Sequence, residues 1–338
     1  MSGGAPTDRL DETSRRATGV PTILVTGGSG FLGAALTEAL AGRGDHVIAM
    51  DVRIGEALGR LAAAHENVTP VVADLTEWAS IADLFRAHRV DSVIHCGAIV
   101  GVIASVDHPF NTMRVNVEGT VNLLECMRLF GARRMVQISS EEVYGDFRSA
   151  RIDEEHPRNP VQAYGISKVA CEQFARSYAA RYGLECIAVR TSWVYGANLP
   201  RERVPRNLLS AIVDGRSCHV PAGADALIDH TYVDDFVAGV LLAHDHPRHR
   251  FDAYHVTSGQ AVTVQGIVDV LKELAPGADI GVGPGAYFHG PGVAAVRKGA
   301  LDVSRARAEL GYRPRHDIRS GLQRCLDLMT RSRKERTR

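Results

Sequence analysis

Short apolar runs alternate with helix-spaced apolar positions along the first half of the chain. Thr22 to Thr26 (Thr-Ile-Leu-Val-Thr) has the length and composition of a strand, and it leads into Gly27-Gly-Ser-Gly-Phe-Leu-Gly33. Leu32, Leu36, Ala39 and Leu40 then recur at helical spacing. Further strands are expected at His46–Met50, Val68–Ala73, Asp91–His95, Arg133–Ile138 and Leu184–Arg190. Between them the pattern predicts helices, including a long one from Pro109 to Phe130 and another from about Gln162 to Tyr182. Such alternation predicts an α/β fold with a doubly wound parallel sheet, whose ligands sit beyond the carboxyl ends of the strands. After Gly196 the alternation weakens. Helical patches near Arg203–Asp214, Val233–His244, Val264–Leu274 and Ser304–Leu310 are separated by loops such as Val282-Gly-Pro-Gly285 and His289-Gly-Pro-Gly292. The expected organisation is a flexible leader over 1–20, a Rossmann domain over 21–196 with a return segment near 230–258, a smaller C-terminal α/β substrate-binding lobe mainly over 197–330, and a disordered basic tail over 331–338.

Charge narrows the function classes. Lys plus Arg and Asp plus Glu both number 39, so no global basic field recruits nucleic acid or an anionic membrane. No run of about 20 apolar residues is present, so no membrane-spanning helix is expected. The first twenty residues lack the apolar core of a secretory signal. Six cysteines (Cys96, Cys126, Cys171, Cys186, Cys218 and Cys325) form no C-x-x-C pair, which points to reduced thiols in a cytoplasmic protein rather than disulfides or zinc. The strip His244-Asp-His-Pro-Arg-His249 reads as a solvated loop because of Pro247 and its arginines, and no metal site is expected.

Three stretches carry candidate chemistry. Gly27, Gly30 and Gly33 follow a strand and open a helix, the context in which a glycine loop lets the backbone approach a pyrophosphate at the helix N-terminus. Asp51 ends the second strand, where a carboxylate hydrogen-bonds an adenosine ribose and repels a 2′-phosphate, while the nearby Arg53 is a cation that could accept NADP instead. Tyr164 and Lys168 lie four residues apart, on one face of a helix. A free tyrosine titrates near about 10, and a lysine cation one turn away favours the phenolate, which suits a proton shuttle. Asp74, Gly97, Ser139 and Ser140 fall at strand ends.

Together these stretches resemble the extended short-chain dehydrogenase/reductase family, in its NAD-dependent epimerase/dehydratase branch. The resemblance spans roughly Thr22 to Pro314 and rests on the glycine loop, Asp74-Leu75, His95-Cys-Gly-Ala98, Asn116-Val-Glu-Gly-Thr120, Ser139-Ser-Glu-Glu-Val-Tyr-Gly145, Tyr164-Gly-Ile-Ser-Lys168 and Tyr232-Val-Asp-Asp235. It implies NAD as cofactor, Tyr164 as catalytic acid/base, Lys168 at the nicotinamide ribose and Ser140 at the reacting oxygen. The implied cofactor contacts are Gly27, Gly30, Phe31, Leu32, Gly33, Asp51, Arg53, Asp74, Leu75, Cys96, Gly97, Ala98 and Asn116, with Tyr164 and Lys168. It also implies a homodimer built on the helices near Pro109–Phe130 and Gln162–Tyr182, where Val117, Val121, Leu124, Met127, Ala170, Phe174 and Tyr178 supply apolar surface.

The resemblance implies a sugar-nucleotide substrate and epimerisation through transient oxidation of a secondary hydroxyl. Dehydrogenation of a small polyol or carbonyl compound and sugar-nucleotide dehydration are the alternatives. Glu141 and Glu142 follow Ser140 where the family's dehydratases carry an Asp-Glu pair; the plainer expectation is that they face solvent or form ion pairs. The arginine with which nucleotide-sugar members clamp a diphosphate is replaced by Ile228, and the asparagine before the second Val-Tyr-Gly is also missing, since Arg190-Thr-Ser-Trp193 precedes Val194. Arg201, Arg203 and Arg206 are the cations nearby, and Trp193 is expected to pack in the core.

Overall fold

The computed structural model describes residues 19–336; all of the leader except Gly19 and Val20, and the last two residues of the basic tail, lie outside them. Seven parallel strands form the main sheet: β1 (Thr22–Thr26), β2 (His46–Asp51), β3 (Val68–Val72), β4 (Ser92–His95), β5 (Arg134–Ser140), β6 (Glu185–Thr191) and β7 (Ala253–His255). Their spatial order is β7-β6-β5-β4-β1-β2-β3. The order reverses between β1 and β4, which makes that crevice the topological switch point. Side chains alternate along each strand, so Ile23 and Val25 enter one core with Val136, Val189 and Phe236, while Leu24 enters the other with Met50, Val93 and Met135. Burial on both faces explains why these strands read as continuous apolar runs.

The long helix expected from Pro109 to Phe130 is present, with a π-helical turn inside it. Pro109–Met113 is α-helical, Arg114–Glu118 is a π-helical turn, and α-helix resumes over Gly119–Phe130. The π turn carries Asn116, whose amide bonds the backbone of Ile99 in both directions, Oδ1 accepting at 2.8 Å and Nδ2 donating at 3.1 Å. Such turns recur at functional sites because they re-aim one side chain. Among the apolar residues named for a dimer face, Leu124 and Met127 belong to the core, whereas Phe174 is exposed, as are Phe110 and Tyr182 nearby.

The second half is interleaved. Leu227–Tyr232 pairs in parallel with Trp193–Tyr195 in a small separate sheet, and a lobe core of Trp193, Leu208, Ile228, Ile267 and Leu322 packs around it. The chain then returns: Phe236 and Val240, on the helix Val233–Asp245, pack on the main sheet before β7 joins its edge. Asp235, in the Tyr-Val-Asp-Asp stretch, accepts the backbone N–H groups of Arg315 and His316 at 2.9 and 2.8 Å and so ties the returning helix to the chain's end. Ser304–Leu310, expected in the lobe, instead packs on the main core through Ala306 and Leu310. The expected disordered tail is helical as far as it is described, because the helix Ile318–Arg336 is anchored by Leu322, Cys325 and Leu326 and propagates outward. Among the described residues no helix is long and apolar enough to cross a membrane. All six cysteines are free thiols.

Candidate active site

A cavity of about 700 Å³ runs along the carboxyl ends of β1, β4, β5 and β6. At one end the turn from β1 into the helix Phe31–Gly42 needs its glycines. A Cβ on Gly33 would lie 2.1 Å from the Gly27 carbonyl oxygen, and Gly27 itself has φ +70°. The helix begins at Gly30 with no side-chain cap, which leaves its first N–H groups for a ligand. Gly27, Gly30, Phe31, Leu32, Gly33, Asp74, Leu75, Cys96, Gly97 and Ala98 all line this end. Asp51 lines it too, with Oδ2 accepting from Ser29 N at 3.0 Å. Arg53 does not line it; its side chain is exposed, and its carbonyl accepts from Ser29 Oγ at 2.9 Å. Asn116 lies behind the wall rather than in it, fixing Ile99 and donating to Ser167 Oγ at 2.9 Å. An uncapped helix start above a side-chain-free turn, with a carboxylate at the end of β2, fits the pyrophosphate and ribose of a dinucleotide.

At the centre, Ser140, Tyr164 and Lys168 line the cavity and are almost wholly buried. The helix Ala163–Tyr182 is seated by Gly165, where a Cβ would lie 2.4 Å from the Glu142 carbonyl. Lys168 Nζ donates to the Ile138 carbonyl at 2.7 Å and stands 5.8 Å from the centre of the Tyr164 ring. Ser140 Oγ accepts from Glu142 N at 3.2 Å, which leaves its proton to point elsewhere. Beneath them His95 bridges Thr26 Oγ1 and Thr120 Oγ1 at 2.7 and 3.0 Å. Burial, with Lys168 adding, pushes His95 down to about 3, so it is neutral at pH 7.

The far end was only partly legible from the sequence. Glu141 and Glu142 do not face solvent; both are buried and line the cavity. They pair with Lys298, whose Nζ is 3.1 Å from Glu142 and 3.8 Å from Glu141. Burial pushes Glu141 up to about 7 against the pull of Lys298, with Glu142 adding to the rise. Burial opposes the charge of Lys298, yet the two glutamates raise it on balance. Sequence reading missed Lys298 and the cavity-lining His289. Lys298 is one of only four lysines in the chain, and no local motif marks it.

Arg201 and Arg203 line the same end, whereas Arg206 turns away to Met329 Sδ. Arg203 stacks on the Trp193 ring, 4.5 Å from its centroid. Burial, then Arg201, lowers Arg203 to about 10. Trp193 is part of the lobe core and also a wall of the cavity. With His289 it is shared by a second cavity of about 300 Å³ that Ile228, Tyr287 and Arg297 also line.

Comparison with known proteins agrees with this layout. The model of the NAD dependent epimerase/dehydratase family matches residues 23–256. A UDP-glucose 4-epimerase of Mycolicibacterium smegmatis is 30% identical over 90% of this chain and 97% of its own length. A dTDP-glucose 4,6-dehydratase of Streptomyces antibioticus is 31% identical over 90% of this chain and 91% of its own. The crystal structure of a UDP-glucose 4-epimerase from Thermotoga maritima with UDP-glucose superposes with a TM-score of 0.82 at 26% identity, covering 93% of this chain and 99% of that one. The matched span contains both the glycine loop and the Tyr164–Lys168 pair, and the chain belongs to the NAD-dependent epimerase/dehydratase family of extended short-chain dehydrogenase/reductase enzymes, with NAD as its cofactor.

Proposed function

We propose that the enzyme epimerises a sugar nucleotide by transient oxidation of a secondary hydroxyl. The observation that carries this reading is the convergence of Ser140, Tyr164 and Lys168 midway along one cavity, between the glycine cradle and the arginines. The N–H groups at the start of the helix Phe31–Gly42 would hold the pyrophosphate of NAD, Asp51 its adenosine ribose and Lys168 its nicotinamide ribose. Bound NAD supplies a reversible hydride acceptor for an alcohol carbon. Tyr164 takes the hydroxyl proton and later returns it, while the Lys168 ammonium stabilises the phenolate. Ser140 donates to the reacting oxygen and orients it. No net redox change follows when the product differs only in configuration.

A second reading is dehydration, and the buried Glu141–Glu142–Lys298 cluster favours it. One ammonium does not balance two buried carboxylates, and burial raises Glu141 to about 7, so it exchanges a proton around neutral pH. That gives the cavity an acid and a base beyond Tyr164, as loss of water requires. Incubation with a panel of uridine and thymidine diphosphate sugars and trace NAD, followed by NMR, tests both. Isomers without accumulating NADH are expected. A dehydrated keto-sugar would move the reaction to elimination, and NADH formed only with simple polyols would overturn both readings.

A further inference from the structure

Arg203 is a half-buried cation at the cavity wall without an ion-pair partner. Among the described residues it forms no ion pair, and its one hydrogen bond is a long 3.5 Å contact with the Val194 carbonyl. A guanidinium has five N–H donors, so the protein uses little of the donor capacity of Arg203. The Trp193 ring lies against the group, and Arg203 lines the cavity beside it. Arg201 lines the same wall, donating to the Val100 carbonyl and forming no ion pair among the described residues. The nearby glutamates form ion pairs with Lys298 rather than with either arginine, and Glu141 acts on Arg203 only from a distance. His289 adds no charge, since burial lowers its pKa. This wall of the cavity is therefore built positive and left open.

We infer that Arg203, with Arg201 beside it, grips the diphosphate of the substrate, a role that rests on the sugar-nucleotide reading above. Position supports the choice of group. Trp193 is common to both cavities, so a ligand held over it has the Tyr164 end on one side and the space lined by Tyr287 and Ile228 on the other. A diphosphate joins two parts of a sugar nucleotide in the same way. Its two charges match two arginines, and its paired oxygens match the fork of a guanidinium. Ile228, on the opposite side of Trp193, contributes only apolar surface.

The test is calorimetric titration of NAD-loaded protein with UDP, with dTDP and with uridine, for the wild type, Arg203→Met and Arg203→Lys. Quenching of Trp193 fluorescence gives a second readout. Wild type is expected to bind UDP far more tightly than uridine. Arg203→Met should lose roughly 10- to 100-fold in UDP affinity, the worth of one or two charge-assisted hydrogen bonds, with NAD affinity unchanged; Arg203→Lys should fall between. Wild-type UDP affinity retained in both variants would overturn the clamp alone. Equal wild-type binding of UDP and uridine would also overturn it, since the phosphates would not be gripped. Failure of the wild type to bind either UDP or dTDP would remove the sugar-nucleotide reading and the clamp together.

Discussion

Two arginines, one buried and one half-buried, mark two differently built regions. Behind the end of β6, Arg190 donates to both oxygens of Glu172 at 3.0 and 2.7 Å, to Tyr144 Oη at 2.7 Å and to the Glu154 carbonyl at 2.9 Å. Burial opposes its charge, but Glu172 holds its pKa above the ordinary arginine value. Facing the cavity, Arg203 has an aromatic ring and one long hydrogen bond, and its pKa moves the other way. The first region is complete without a ligand. The second holds a charge that no carboxylate pairs with among the described residues. Buried polar groups are normally paired, as Arg190 is, so an arginine left without an ion pair at a cavity wall separates a binding surface from a scaffold.

The largest effect tests neither arginine but the chemistry between the two regions. Tyr164→Phe should lower turnover by about 10²- to 10⁴-fold, the usual worth of a general acid/base group, while NAD and UDP affinities measured by titration stay near wild type. Near-normal turnover would remove Tyr164 from the reaction.

Next in size is the contrast itself. Arg190→Met strands the Glu172 carboxylate, still near Arg158 at 3.1 Å, and should cost roughly 3–5 kcal/mol of unfolding free energy. Arg203→Met strands no carboxylate and should change ligand-free stability by about 1 kcal/mol or less, the scale of a lost cation–π contact. Chemical denaturation of both variants checks this. Equal losses would erase the distinction between scaffold and site.

The smallest effect is a pH dependence at the glutamates. The ordinary Glu141 carboxyl titrates near 4.5 and the folded one near 7. Across that window the native state keeps a proton that the unfolded chain loses, so this contribution falls as pH rises and is gone above it. Lys298, Glu142 and Asp229 act on Glu141, and Asp146 acts on Lys298. Glu141→Gln removes the titration and leaves Glu142 paired with Lys298. The variant should therefore gain on wild type between about pH 4.5 and 7, by on the order of 1–3 kcal/mol, in melts run across the range. A constant offset at every pH would contradict the charge-balance account.

The cofactor end was legible because its physics is local. A glycine that must admit a carbonyl, a helix that must start uncapped and a carboxylate at a strand end each occupy a few consecutive residues, and Gly27 to Gly33 with Asp51 spell them out. The π turn at Arg114–Glu118 was not legible, because the apolar spacing from Pro109 to Phe130 continues through it, and the bonds of Asn116 to Ile99 join residues 17 apart. The substrate end was least legible. Lys298 reaches the glutamates across more than 150 positions of sequence, and nothing in Val296-Arg-Lys-Gly299 marks it. Arg203 was visible as a cation, but its lack of a partner is a property of the fold.

Thermal melts of wild type and Arg203→Met, each without and with saturating NAD, and with NAD plus UDP, test the division between a cofactor end that does not depend on Arg203 and a substrate end that does. A ligand specific to the native state raises stability by mass action. The account predicts that NAD raises Tm equally in both proteins and that UDP adds a further rise in wild type that is largely lost in Arg203→Met. An undiminished UDP increment in the variant, or a loss of the NAD increment with it, would contradict the account.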